Sequence, residues 1–104
     1  MLELTPQELA LRLQQTPLQL LDVREPWEVA LAALPGARHI PMNEIPRRWQ
    51  ELDAGAETVV LCHHGVRSAY VAAFLEQVGF SRVYNLVDGI DGWSREVDAS
   101  VPRY

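Results

Sequence analysis

The sequence predicts an α/β domain built on a mostly parallel sheet. Short apolar, strand-like runs alternate with helical patterns along the whole chain, an order that gives a parallel sheet with helices as crossovers. Thr58-Val59-Val60-Leu61-Cys62 is a continuous and largely β-branched run, as suits a strand buried on both faces. The turn His63-His64-Gly65 and the clearest helix pattern of the chain follow it at once. A length of 104 residues allows one domain. Its expected limits are 5–98, with 99–104 as a C-terminal tail.

Each element has a local reason. Thr5-Pro6-Gln7-Glu8 reads as a capping box with proline at the first helical position. Leu9, Ala10 and Leu13 continue at helical spacing until Pro17 stops the run. Leu18 to Val23 predicts a buried strand, broken by Arg24-Glu25-Pro26. A short helix or turn over Trp27–Leu34 leads to the turn signal Pro35-Gly36. A brief strand at His39-Ile40 ends at Pro41, and Glu44–Leu52 can form about two helical turns. After the strand at 58–62, Val66 to Val78 carries Val71, Phe74, Leu75 and Val78 on one stripe, closed by Gly79. Arg82–Leu86 predicts a further strand, Asp88-Gly89 a turn and Ile90–Val97 a last helix, beyond which periodicity ends.

Composition excludes several function classes. The longest apolar run, Ala69–Leu75, has seven residues, too short for a membrane span. The first residues show no secretory-signal pattern, so a cytoplasmic location is expected. One cysteine excludes an intrachain disulfide and a multi-cysteine zinc site. The formal charge of −5 argues against a nucleic-acid partner. All nine basic residues are arginine, which rules out lysine Schiff-base chemistry and the lysine-dependent P-loop grip. An anion must therefore be held by arginine, histidine or backbone N–H groups.

The segment Cys62-His63-His64-Gly65-Val66-Arg67-Ser68 holds the parts of an anion cradle. It lies where open α/β sheets bind ligands, at the C-terminal end of a strand. Amides of a tight turn can converge on one point, and the following helix start adds partial positive charge. Gly65 lets the backbone bend, and His63, His64 and Arg67 add positive potential around the sulfur. Each of these favours a nucleophilic thiolate over a thiol. Arg67 opposes the helix dipole by roughly 0.3–1 kcal/mol, so it makes sense facing an anion or a carboxylate, for which Asp22 is the candidate. The bland alternatives are a cysteine acting as a small buried hydrophobe, solvated turn histidines, a structural His39, and Trp27, Trp49 and Trp93 as packing groups.

Read as Cys-x-x-Gly-x-Arg-Ser, the loop resembles the active loop of the rhodanese family of sulfurtransferases. Asp22-Val23-Arg24-Glu25 with Glu28 is similar to that family's Asp-Val-Arg-Glu-x-x-Glu, and Pro35-Gly36-Ala37-Arg38-His39-Ile40-Pro41 to its Pro-Gly-Ala-x-x-Ile-Pro. Leu75, Gly79-Phe80, Val83, Leu86, Gly89-Ile90 and Trp93 follow its C-terminal pattern. Two places depart from it. Ala32-Ala33 stand for a usual Gly-His, with Leu34 for the next Ile, and Asp88 stands for the first Gly of Gly-Gly-Ile. Neither touches Cys62.

The resemblance implies a rhodanese-like fold, a five-stranded, mainly parallel sheet flanked by helices on both faces. It implies that Cys62 takes a sulfane sulfur from a small anionic donor such as thiosulfate and passes it on as a persulfide. The acceptor would be cyanide, a small thiol or a protein thiol. His63, His64, Gly65, Val66, Arg67 and Ser68 would form the substrate-binding loop, with Asp22 and Arg24 in support. The chain resembles the stand-alone class of the family, would be a monomer or weak homodimer, and would need no metal and no cofactor. Two other readings compete. A single domain of this kind can serve as a non-enzymatic sulfur carrier or protein-docking module. Cysteine phosphatases also combine a cysteine, an amide cradle and an arginine, but at Cys-x5-Arg spacing, one residue longer than Cys62 to Arg67.

Overall fold

The computed structural model describes every residue from Met1 to Tyr104. Five strands form one sheet: β1 Leu2–Leu4, β2 Gln19–Asp22, β3 Arg38–His39, β4 Thr58–Leu61 and β5 Val83–Leu86. Their order is β1-β5-β4-β2-β3, and every pairing is parallel. The helices are α1 Pro6–Gln15, α2 Pro26–Leu31, α3 Ile45–Arg48, α4 Val66–Gln77 and α5 Gly89–Glu96.

Alternation along the strands divides the core into two layers. Val59 and Leu61 of β4 join Leu9 of α1 and Ile90 and Trp93 of α5 on one face. Val60 and Cys62 join Ile45 of α3 and Val71 and Leu75 of α4 on the other. All four β4 residues are fully buried, each apolar one stabilising the fold by about 1.5–3 kcal/mol. Period-two geometry thus places Cys62 under α4.

Most local readings hold. Thr5 caps α1: its Oγ1 accepts from the Glu8 amide at 3.1 Å and its own amide donates to Glu8 Oε1 at 2.8 Å. Val71 and Leu75 of the α4 stripe are buried, and Gly79 follows its end at φ +109°.

Three local readings differ. Leu2–Leu4, for which the sequence predicts no element, is an edge strand in register with Tyr84–Leu86. Its three residues carry no β-branched signal, and only a partner distant in sequence makes them a strand. The stretch read as one helix over Glu44–Leu52 is a 3-10 turn at Met42–Glu44, one turn of α-helix, and a second 3-10 turn at Trp49–Glu51. Pro46 lacks an N–H and sits in the first turn of α3. The segment 99–104, set apart as a tail, folds back: Val101 is buried with the α5-side core and Tyr104 reaches the end of β4.

Candidate active site

Cys62 follows β4 directly, and its Sγ sits beneath the loop that opens α4. Gly65 turns the chain at φ +103°, a conformation open to glycine. The first amides of α5 hold the loop from outside: Ile90 N–H donates to the Cys62 carbonyl at 2.9 Å and Asp91 N–H to the His63 carbonyl at 3.1 Å. With those carbonyls tied outward, loop amides face the sulfur. Gly65 N–H donates to Sγ at 3.0 Å and Ser68 N–H at 3.4 Å. Both stabilise negative charge on sulfur. The amides of Val66 and Arg67 make no hydrogen bond within the chain, so they remain free to meet an anion.

Two residues outside the loop hold it in shape. Asn85, on β5, donates from Nδ2 to the Gly65 carbonyl at 3.0 Å and accepts the Ser68 hydroxyl at 2.5 Å. Ser68 Oγ lies 3.3 Å from Sγ. Its own proton is committed to Asn85, so Oγ faces Sγ as an acceptor for the thiol proton. At Gly89, a Cβ would sit within 2.5 Å of the His63 carbonyl oxygen and closer still to that of Cys62. Gly89→Ala is therefore expected to push the loop off α5 and to destabilise the fold by about 2 kcal/mol or more, read by denaturant unfolding. An unchanged midpoint would mean that the loop gives way freely.

Behind the cysteine loop runs a chain of buried and half-buried ion pairs. Arg24, fully buried, binds Asp22 through Nε to Oδ1 at 3.0 Å and Nη2 to Oδ2 at 2.7 Å. It also donates to the Ala32 carbonyl at 2.6 Å and to the Tyr104 hydroxyl at 2.8 Å. That hydroxyl donates in turn to Glu28 Oε2 at 2.7 Å. Glu28 holds Arg67 at both oxygens, 2.6 and 2.9 Å. Asp22, expected to face Arg67, is taken by Arg24 instead, because an arginine two residues on can fold back onto it. The Arg67 guanidinium holds the Glu28 carboxyl down at about 2, with smaller help from the Glu25 amide and Tyr104. This stabilisation is complete above the ordinary 4.5 and is lost as pH falls through about 2. A stability–pH curve should lose part of its acid limb in Glu28→Gln.

His63 differs from expectation. His63 stacks on the Tyr104 ring at 3.9 Å and 7° and lies 3.9 Å from the His64 ring. Burial, and secondly the neighbouring His64, lower its pKa, which weakens the positive potential expected of it beside the sulfur. His39 is structural: its Nε2 lies 2.7 Å from the Arg24 carbonyl. Trp27 is largely exposed and meets Tyr104 edge-on at 6.1 Å. The structure thus gathers Gly65 and Ser68 on the Cys62 sulfur, with the open amides of Val66 and Arg67 lying between these two donors in sequence. Asp22 and Arg24 stand behind them. Sequence reading missed the roles of Asn85 and Tyr104. Asn85 lies in a strand with no local cue, and Tyr104 in an aperiodic tail. Glu28 had a signal, its place in the Asp-Val-Arg-Glu-x-x-Glu match, but no partner.

A parallel α/β domain with its one cysteine at a strand–loop–helix junction belongs to a recognisable class. Comparison with known families matches residues 5–96 to the Rhodanese-like domain, and the chain belongs to that family. It is 42% identical over 90 residues to the Rhodanese-like/PpiC domain-containing protein 12, chloroplastic, of Arabidopsis thaliana, spanning 83% of this chain and 30% of that longer protein. A protein of Allochromatium vinosum named Sulfurtransferase is 38% identical over 94 residues, 89% of this chain and 88% of its own. The Thiosulfate sulfurtransferase GlpE of Pseudomonas paraeruginosa is 37% identical over 86 residues, covering 83% and 78%. Among solved structures, a rhodanese-like domain protein from Staphylococcus aureus superposes with a TM-score of 0.86 at 31% identity, covering 100% of this chain and 99% of that one.

Proposed function

We propose that this protein is a sulfurtransferase that carries the transferred sulfur as a persulfide on Cys62. The observation that carries this reading is Sγ held under two amide donors, with two further amides open beside it. In the first half-reaction the Cys62 thiolate attacks the outer sulfur of a donor such as thiosulfate. The S–S bond of thiosulfate breaks, sulfite leaves with the bonding pair, and Cys62 holds S–S⁻. In the second, a thiophilic acceptor such as cyanide attacks the outer sulfur, leaves as thiocyanate, and returns the thiolate. Loop amides aimed at the place where charge develops stabilise both steps. Names of relatives support sulfur transfer as the class of chemistry. A cytoplasmic location and a small thiol or protein thiol as physiological acceptor belong to the same proposal.

The four residues between Cys62 and Arg67 favour a single sulfur over a tetrahedral phosphoryl group, because so short a turn leaves less room for three oxygens. Thiosulfate:cyanide transfer and aryl phosphate hydrolysis should be assayed side by side. Sulfur transfer without phosphatase turnover is expected; phosphatase turnover without sulfur transfer would overturn the proposal. A carrier that docks to one partner would load Cys62 equally well but show no turnover with a small acceptor.

A further inference from the structure

All nine arginines of the chain stand within 4 Å of a carboxylate, Arg67 included. Arg67 is the cation of the cysteine loop, and no lysine can take its place. Its partner Glu28 is nearly inaccessible, anchored at one oxygen by the Glu25 amide at 3.0 Å and at the other by Tyr104 at 2.7 Å. The two oxygens of Glu28 meet Arg67 in the bidentate geometry that an anionic ligand would use. Glu28 is thus an internal anion on the one guanidinium of the cysteine loop.

We infer that Glu28 is a specificity-determining residue: by occupying Arg67 it disfavours doubly charged sulfur donors and favours donors of lower charge, thiol persulfides above all. This rests on the sulfur-transfer reading. With thiosulfate, a thiolate and a dianion meet beside a guanidinium that Glu28 has neutralised, so two like charges approach with amides alone to offset them. With a thiol persulfide, R–S–SH, the Cys62 thiolate attacks the outer sulfur, the S–S bond breaks, and R–S⁻ leaves with the bonding pair while Cys62 keeps S–SH. The reacting pair carries one negative charge with this protonated donor and two with its ionised form, against three with thiosulfate. Tyr104 is a positioning residue in this scheme: its hydroxyl, which accepts from Arg24, holds one oxygen of Glu28 in place.

The test has two readouts on the full chain. The first needs no sulfur transfer: the rate of Cys62 alkylation by iodoacetate divided by that by iodoacetamide, two reagents of similar size and unlike charge. Glu28→Gln keeps the shape and removes the charge. It should raise this ratio about fivefold, the upper end for a partly exposed ion pair. Tyr104→Phe keeps the ring on His63 and leaves Glu28 Oε2 to Arg67 alone, so an incoming anion displaces the loosened carboxylate more readily. It should raise the ratio by less, and it serves if Glu28→Gln does not fold. Arg67→Gln combined with Glu28→Gln should return the ratio to that of the unaltered chain or below. An unchanged ratio in both single variants would overturn the role of Glu28. The second readout is KM. That for thiosulfate should fall by a similar factor in Glu28→Gln, while that for hydroxyethyl persulfide moves less than about twofold. A raised ratio with an unmoved thiosulfate KM would overturn the donor preference alone. Failure of Cys62 to gain sulfur from any donor would overturn the sulfur-transfer reading and the donor preference with it, leaving the ratio to decide the electrostatics.

Discussion

Replacing Cys62 by serine is expected to abolish sulfur uptake while leaving the fold in place. Intact mass of the unaltered protein should rise by one sulfur atom after thiosulfate or persulfide treatment and return on reduction. The serine variant should gain nothing, and turnover with cyanide should fall by about a thousandfold or more. The physical reason is specific to sulfur. An oxygen at this position accepts the same amide bonds from Gly65 and Ser68, yet it is a poor nucleophile at neutral pH and forms no persulfide. Serine is close in size to cysteine, so the pocket beneath α4 stays filled and the thermal midpoint should shift by only a few degrees. A serine variant that still gains the mass would place the sulfur elsewhere.

The largest expected loss of stability comes from Asp22→Ala. Arg24 has no solvent exposure, and Asp22 is its only carboxylate partner. Removing that carboxylate leaves a guanidinium buried with two carbonyls and a hydroxyl for company. Breaking a buried pair in this way costs about 3–5 kcal/mol, which for a domain of this size is a fall in midpoint of more than about 10 °C. Arg24→Met, which removes the buried charge and keeps the volume, should cost less when combined with Asp22→Ala than Asp22→Ala costs alone. Thermal and urea unfolding of the single and double variants would show this. Equal losses would mean that the pair contributes packing and not charge compensation.

These two sites differ in how far the sequence reveals them. Cys62 is legible because every cue is local: a β-branched run, a glycine turn, a helix start and a loop motif lie within a dozen residues. Thr5 and Glu8 are legible for the same reason, as both halves of a cap sit within one turn. Asp22 and Arg24 are each legible as supporting residues, though the sequence points Asp22 at Arg67. Its true partner is two residues away, and the choice between Arg24 and Arg67 depends on where a third residue, Glu28, comes to lie. Asn85 shows no cue at all, because its task is to join a helix residue, Ser68, to a loop carbonyl, Gly65, from a strand paired with β4. The edge strand Leu2–Leu4 is equally silent, since its conformation follows from pairing with Tyr84–Leu86.

The amino-acid sequence by itself determined the alternation of strands and helices, the burial of β4 on both faces, and the place of Cys62 between a strand and a helix. Periodicity, caps and turn residues act over a few bonds, and their patterns are written in consecutive positions. Tertiary structure alone decided which charge meets which. It brought Glu28 from α2 and Tyr104 from the C-terminal segment onto Arg67 and Arg24, and it laid the first amides of α5 against the carbonyls of Cys62 and His63. Side chains and amides separated by tens of residues in sequence find one another only after the sheet has set their elements side by side. The electrostatics of the cysteine loop is therefore a property of the fold.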